Sequence, residues 1–167
     1  DGKRGSRKPT TPTRIIAALA AVLLFTSFAF AYQFRTVKRV VDGDTLVLEN
    51  GERVRLIGVD TPESVDPRRP VEYFGKEAAA FTKKMVEGKR VRLEFDPANA
   101  HTGHKDNTQQ RRTLAYVYLE DGILLNAEII RQGYGHVYTR APFKFLGDFR
   151  QLEREARQQG KGLWARH

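Results

Sequence analysis

The stretch VVDGDTLVLENGERVRLIGVDTPE, residues 40–63, restricts the possible folds more than any other part of the chain. Asn50-Gly51 stands between two runs of β-prone residues, Leu46-Val47-Leu48 and Arg53-Val54-Arg55-Leu56, and this arrangement marks a tight hairpin. A two-residue turn at Asn50 and Gly51 predicts Leu48 opposite Arg53, Leu46 opposite Arg55 and Asp44 opposite Ile57. Asp44 and Arg55 are then diagonal neighbours on one face. Gly58 weakens the second strand and Pro62 biases Thr61 away from helix, so Asp60 to Glu63 are predicted to turn at its exit. A hairpin alone has no use for Asp42, Asp44, Asp60 and Glu63 gathered around Arg55.

An extended run from Arg35 to Val41 precedes the hairpin. From Glu72 to Glu87 the pattern is helical, with Phe74, Ala78, Phe81 and Met85 on one stripe and Gly88 at the end. Val91, Leu93 and Phe95 alternate as a strand, Leu114, Tyr116 and Tyr118 as another, and Asp121-Gly122 closes a second hairpin. Leu125 to Gln132 forms a short helix stopped by Gly133, and Phe149, Leu152 and Ala156 mark a last helix running to Gly160. Between Asp96 and Arg111 the polar segment PANAHTGHKDNTQQ has no periodicity and is predicted to be a long mobile loop. Five strands, one helix after the third and more after the fifth describe a mainly β, α+β domain. The simplest such architecture is a five-stranded OB-type barrel with three helices.

At 167 residues the chain accommodates one domain and a tail. Residues 1–14 carry five Lys/Arg against one Asp, and Ile15 to Ala31 is an uncharged apolar run ending in Ala29-Phe30-Ala31. This is the pattern of a secretory signal peptide, and its length also approaches that of a membrane anchor. Both readings place the domain, residues 32–167, outside the cytoplasm: extracellular or periplasmic, or tethered through residues 15–31. The absence of cysteine excludes disulfides, thiolate metal sites and a cysteine nucleophile. The net charge is +9, and without residues 1–31 there remain 24 Lys/Arg against 19 Asp/Glu, or +5. A basic domain favours a polyanionic partner, either nucleic acid or an acidic membrane surface.

Clustered carboxylates repel one another unless a cation or a proton relieves them, and oxygen-only ligands favour Ca²⁺ or Mg²⁺. Arg55, with Arg112 as a second guanidinium, suits a phosphate held beside such an ion, and Glu63 is then placed as a general base for water. Each feature also has a plainer reading. Asp42-Gly43 serves as a turn, Asp44 and Arg55 as a surface ion pair, and Asp60 to Glu63 as a helix cap. His101 and His104 have the spacing of metal ligands but lack a third partner. His136 and Tyr138 fit packing or a rim, with Tyr138 in reach of a base or phosphate. The pairs Lys83-Lys84 and Arg68-Arg69 are solvated charges able to steer a polyanion.

Taken in order, VDGDT, RLIGVDTPE, GKEAAAFTKKMVEGKRVRLEFD, RTLAYVYLEDGILLNAEIIRQGYG and EREARQQGKGLWA closely resemble the staphylococcal nuclease (thermonuclease) family, from about Thr36 to Ala165. The resemblance implies an OB-fold barrel with three helices and a Ca²⁺-dependent, monomeric enzyme that cleaves DNA and RNA to products ending in 3′-phosphate. By motif position it assigns calcium binding to Asp44, Asp60 and the carbonyl of Thr61, general-base chemistry to Glu63, phosphate contacts to Arg55 and Arg112, and a nucleotide contact to Tyr138. A non-catalytic nucleic-acid-binding barrel is the alternative, though such a module has little reason to keep Asp44, Asp60 and Glu63. One segment departs from the family pattern. The short D-x-Y-G-R loop before the second arginine is here DNTQQRR with extra residues upstream, Arg111 replaces the glycine, and the aromatic residue is missing.

Overall fold

A computed structural model describes residues 33–64 and 72–165. The segment predicted to be a signal peptide or anchor and the Arg68-Arg69 pair lie outside these residues. Strands β1 (Arg35–Asp42), β2 (Thr45–Leu48), β3 (Arg53–Leu56), β5 (Arg90–Glu94) and β6 (Thr113–Leu119) close a barrel in the order β1-β2-β3-β6-β5. All pairings are antiparallel except β3 with β6, which is parallel. This is the predicted OB-type barrel. Two register shifts bend β1 so that it pairs with β2 along most of its length and with β5 at its start. A small ladder of β4 (Val59–Asp60) with β7 (His136–Val137) stands beside the barrel. Val37, Leu46, Leu48, Val54, Leu56, Val91, Ala115 and Val117 fill the interior.

Helices α1 (Gly75–Val86), α2 (Leu125–Arg131) and α3 (Leu146–Gln158) cover it, α1 against β1 and α2 between β6 and α3. The buried stripe of α1 is Ala78, Thr82 and Val86, one position round from the predicted stripe, with Phe81 and Met85 half-buried at its flank. The polar residue on this stripe is what hid the true face. Thr82 is fully buried because its Oγ1 donates to the carbonyl of Gly43 at 2.7 Å, which ties α1 to the β1–β2 turn.

The hairpin differs from expectation by one residue. Gly51 N–H donates to the Leu48 carbonyl and Leu48 N–H to the Glu52 carbonyl, both at 2.9 Å, with Gly51 at φ 83°. This is a three-residue loop whose glycine takes the left-handed position, so Val47 faces Arg53 and Thr45 faces Arg55. Asp121-Gly122 makes the same kind of loop, followed by a single bridge from Tyr118 to Leu124 before α2 begins. Phe95 falls outside β5 and is exposed. The segment predicted to be a mobile loop is built instead. A 3-10 turn spans Pro97–Thr102, capped by Asp96, and Leu114 N–H donates to the His104 carbonyl at 2.8 Å.

Candidate active site

Asp44 does not reach Arg55 by strand alternation, since it lies in the turn between β1 and β2. Its Oδ2 sits 3.2 Å from Arg55 Nη2 and accepts the Thr61 N–H at 3.0 Å, while Oδ1 accepts the Thr45 hydroxyl at 3.0 Å. Arg55 Nη2 also lies 3.4 Å from Asp60 Oδ1, and its Nη1 donates to the carbonyls of Leu56 (2.8 Å) and Val59 (2.6 Å). One guanidinium therefore braces the end of β3, the following turn and two carboxylates. Gly43 is required here, because a Cβ at that position would stand 2.7 Å from Thr61 Oγ1. The Asp60-Thr61 segment is seated against backbone on this side.

Arg112 joins the same network from the position just before β6. Its Nε donates to Asp106 Oδ2 at 2.7 Å, its backbone N–H to Asp106 Oδ1 at 3.1 Å, and its Nη1 to Thr45 Oγ1 at 3.3 Å. Parallel pairing of β3 with β6, which sets Arg55 beside Leu114, places both arginines on one rim. Asp106 was not singled out from the sequence. A carboxylate six residues before an arginine is no local motif, and the altered loop had displaced it from its familiar spacing. Arg111 has φ 47°, a conformation that glycine adopts more readily, and so occupies the family's glycine position at some cost in strain.

The four carboxylates divide into two pairs rather than one cluster. Asp44 and Asp60 meet at Arg55, while Asp42 and Glu63 share a hydrogen bond, with Ser64 Oγ donating to Asp42 Oδ1 at 2.7 Å. Burial first, and then the Glu63 carboxyl, push Asp42 up to about 6. Partial burial, opposed by Arg55 and reinforced by Asp44, raises Asp60 above the ordinary aspartate range. Glu63 is held at its backbone, since its N–H donates to Glu72 Oε2 at 3.0 Å and its carbonyl accepts the Glu72 N–H at 2.9 Å. A Cβ on Gly75 would stand 2.6 Å from that carbonyl, so the start of α1 rests directly on Glu63.

Among the described residues no group of three His, Asp or Glu side chains is gathered as a metal site. The donors present are nonetheless those of a hard cation. Asp44 and Asp60 supply carboxylate oxygens that repel each other, and the adjacent Thr61 Oγ1 is buried with no hydrogen-bond partner. An oxygen-only set with an unsatisfied buried oxygen beside it fits Ca²⁺ or Mg²⁺, with water completing the shell. His101 and His104 do not come together as ligands, because His104 stacks on Phe95 at 4.7 Å between ring centroids while His101 is exposed.

Arg55 and Arg112 line a cleft of about 510 Å³ with Asp106, Lys105, His101 and Tyr138. Tyr138 is exposed at its rim, with its N–H bonded to the Gly58 carbonyl at 3.0 Å. Asp44, Asp60, Thr61 and Glu63 are not part of this lining. His136 lies beyond it, opposite Asp60 in the β4–β7 ladder and edge-on to Trp164.

Residues 53–166 match the family model described as "Staphylococcal nuclease homologue". The chain is 36% identical to the thermonuclease of Staphylococcus intermedius over 96% of its own length and 99% of that protein's. It is 35% identical to the thermonuclease of Staphylococcus hyicus, covering 77% of this chain and 74% of the relative. Endonuclease YncB of Bacillus subtilis (strain 168) is 33% identical, with 78% of this chain and 61% of that protein aligned. With the barrel order, the paired arginines and these matches, the chain belongs to the staphylococcal nuclease family.

Proposed function

We propose that this chain is a calcium-dependent nuclease that hydrolyses phosphodiester bonds of DNA and RNA to products ending in 3′-phosphate. The observation that carries the reading is the single network in which Arg55 and Arg112, through Asp44, Thr45 and Asp106, share one rim of an open cleft. Two fixed guanidiniums on a basic domain suit a phosphodiester, because their paired N–H groups match its oxygens. Asp44, Asp60 and the Thr61 carbonyl would hold Ca²⁺, which when bound offsets phosphate charge that would otherwise repel a nucleophile. Arg55 and Arg112 donate to the same phosphate and stabilise the negative charge that grows on its oxygens. Glu63 accepts a proton from water as the water oxygen bonds to phosphorus. The bond to the 5′ oxygen breaks with its electron pair, and that oxygen takes a proton from solvent. The domain is exported, with residues 1–31 as its signal or tether. N-terminal sequencing of the mature protein tests that part.

The decisive experiment measures cleavage of heat-denatured DNA by the whole chain in Ca²⁺ and in excess EGTA, with Glu63→Gln run in parallel. Calcium-dependent cutting with 3′-phosphate ends is expected. Turnover should fall on the order of 10²- to 10⁴-fold in the variant while DNA affinity changes little. DNA that binds but is never cut would favour the non-catalytic barrel.

A further inference from the structure

The chemistry proposed above engages one phosphodiester, and the outer flank of α3 carries charge that it leaves unused. We propose that Arg150, Arg154 and Arg157 on that flank form a second nucleic-acid site, a track for the sugar–phosphate backbone of the strand flanking the cut. This rests on the nuclease reading and deepens it, because it makes a polymer rather than a short oligonucleotide the preferred substrate.

The sequence of α3 separates its charges. Phe149 and Ala156 are buried and Leu152 packs beside them, which fixes the inner face. Arg150, Arg154 and Arg157 then recur at i, i+4 and i+7 on one flank, and Asp148 and Glu155 fall on the other. Like charges at these spacings repel across a helical turn, so the row opposes the stability of its own helix. Arg150 is exposed and makes no hydrogen bond or ion pair to the described residues. Arg154, also exposed, donates to the neutral side chain of Gln151. Arg157 is held 3.4 Å from Glu153 and 4.0 Å above the Trp164 ring. One carboxylate thus serves three guanidiniums. From Arg150 to Arg157 the helix rises about 10 Å, the length of about three phosphates along one strand of B-form DNA.

The row is also continuous with the proposed catalytic centre. Glu153, beside it on α3, accepts the Val137 N–H at 3.1 Å, so this flank borders β7. His136 of β7 is opposed to Asp60 in the ladder, where paired residues project to one face, and both are exposed. His136 meets Trp164 edge-on at 4.9 Å, and Arg157 covers Trp164 in turn. Contacts therefore run unbroken from Asp60 through His136 and Trp164 to the first arginine. Guanidiniums match phosphate oxygens in pairs. A helix that lies on an acidic bilayer joins its basic flank to large exposed apolar side chains. Among the described residues those are Tyr73, Phe95, Ile123 and Tyr138, and none is on α3.

The test compares the whole chain with two variants, Arg150→Ala combined with Arg154→Ala, and Lys83→Ala combined with Lys84→Ala, which removes the same charge from α1. Alanine keeps helix propensity, so both should fold as the parent does. Kinetics in Ca²⁺ are measured on an oligothymidylate of about 20 nucleotides and on a thymidine dinucleotide, whose single phosphate fills only the catalytic site. Binding of the labelled oligonucleotide in EGTA is followed by anisotropy across a salt series, and sedimentation with phosphatidylserine vesicles is run beside it. For the arginine pair, KM on the long strand should rise on the order of 10-fold at about 0.1 M salt with kcat unchanged. The slope of log KM against log salt should fall by about 1.4, two contacts at about 0.7 each. KM on the dinucleotide should stay within about 2-fold, and the lysine pair should shift the long-strand KM by less than about 3-fold. An unchanged KM on the long strand, an equal rise on the dinucleotide or an equal rise from the lysine pair overturns the track and leaves the nuclease reading intact. Loss of vesicle binding with full oligonucleotide affinity overturns it in favour of a membrane. A parent that binds without cutting overturns the nuclease reading instead, and the anisotropy series then decides the track by the same comparison.

Discussion

Removing Arg55 should unfold this protein more readily as well as silence it, and the two effects are separable. Its side chain is only 14% exposed and Asp44's only 9%, so solvent does little to screen the pair. Arg55→Ala deletes two bonds to the carbonyls of Leu56 and Val59, each contributing about 1.5–3 kcal/mol when the donor is charged. The same substitution strands the buried Asp44 carboxylate without its cation, a loss that typically costs about 3–5 kcal/mol for a buried pair, while the exposed Asp60 adds little. Both routes point to about 4 kcal/mol, which for a domain of this size lowers Tm by roughly 10–20 °C. Arg55→Lys keeps the charge but not the planar fork that spans carbonyls and carboxylates, and about half the loss is expected. Urea unfolding at pH 7 in EGTA measures this, with cleavage assayed at a temperature where every variant is folded. A midpoint for Arg55→Ala within about 1 kcal/mol of the parent would show that Arg55 does not brace the turn, and the proposed double role would fail.

Asp106→Ala frees the guanidinium of Arg112 from its Nε and backbone partners, and kcat/KM should drop on the order of 10-fold through misplacement; unchanged steady-state kinetics would count against Asp106 as its anchor. Gly43→Ala drives a methyl into Thr61 and should weaken Ca²⁺ binding on the order of 10- to 100-fold by calorimetry, whereas wild-type affinity would remove Thr61 from the metal site. Asp42 has a folded pKa of about 6 against 3.8 for the free side chain, so the folded state holds this proton more tightly. That stabilisation is complete below about pH 4 and is lost as pH rises through 6. Asp42→Asn, which mimics the protonated form, should therefore stabilise the domain at pH 8 by on the order of 1–3 kcal/mol and hardly at all at pH 4. Equal effects at both pH values in denaturant titrations would refute the assignment.

Much of the domain was legible because its signals are local. Asn50-Gly51, Asp121-Gly122 and Gly133 each announce a reversal or a stop that the structure contains, and α2 ends within one residue of its predicted limit. The failures were local as well, but of a different kind. The hairpin register slipped because Asn-Gly serves both two- and three-residue loops, and hydrogen bonding to Glu52 decides between them. The stripe on α1 was misplaced because a buried threonine is excluded by any hydrophobic pattern unless its carbonyl partner, here Gly43, is known. The segment after β5 lacked periodicity because its order comes from one carboxylate, Asp96, whose partners Tyr116 and Lys144 are 20 and 48 residues away.

The sequence by itself determined the inventory: which carboxylates and arginines exist, which strands and helices carry them, and the family they indicate. Tertiary structure alone decided their meeting. Arg55 and Arg112 share a rim because β3 pairs in parallel with β6, a contact that no turn or periodicity encodes and that barrel closure enforces by burying Val54, Leu56, Ala115 and Val117 together. It also separated Asp42 and Glu63 from Asp44 and Asp60, since the direction of a carboxylate in a turn follows from which N–H groups stand near it, and those of Thr61 and Gly43 take their places only once α1 and the barrel have packed.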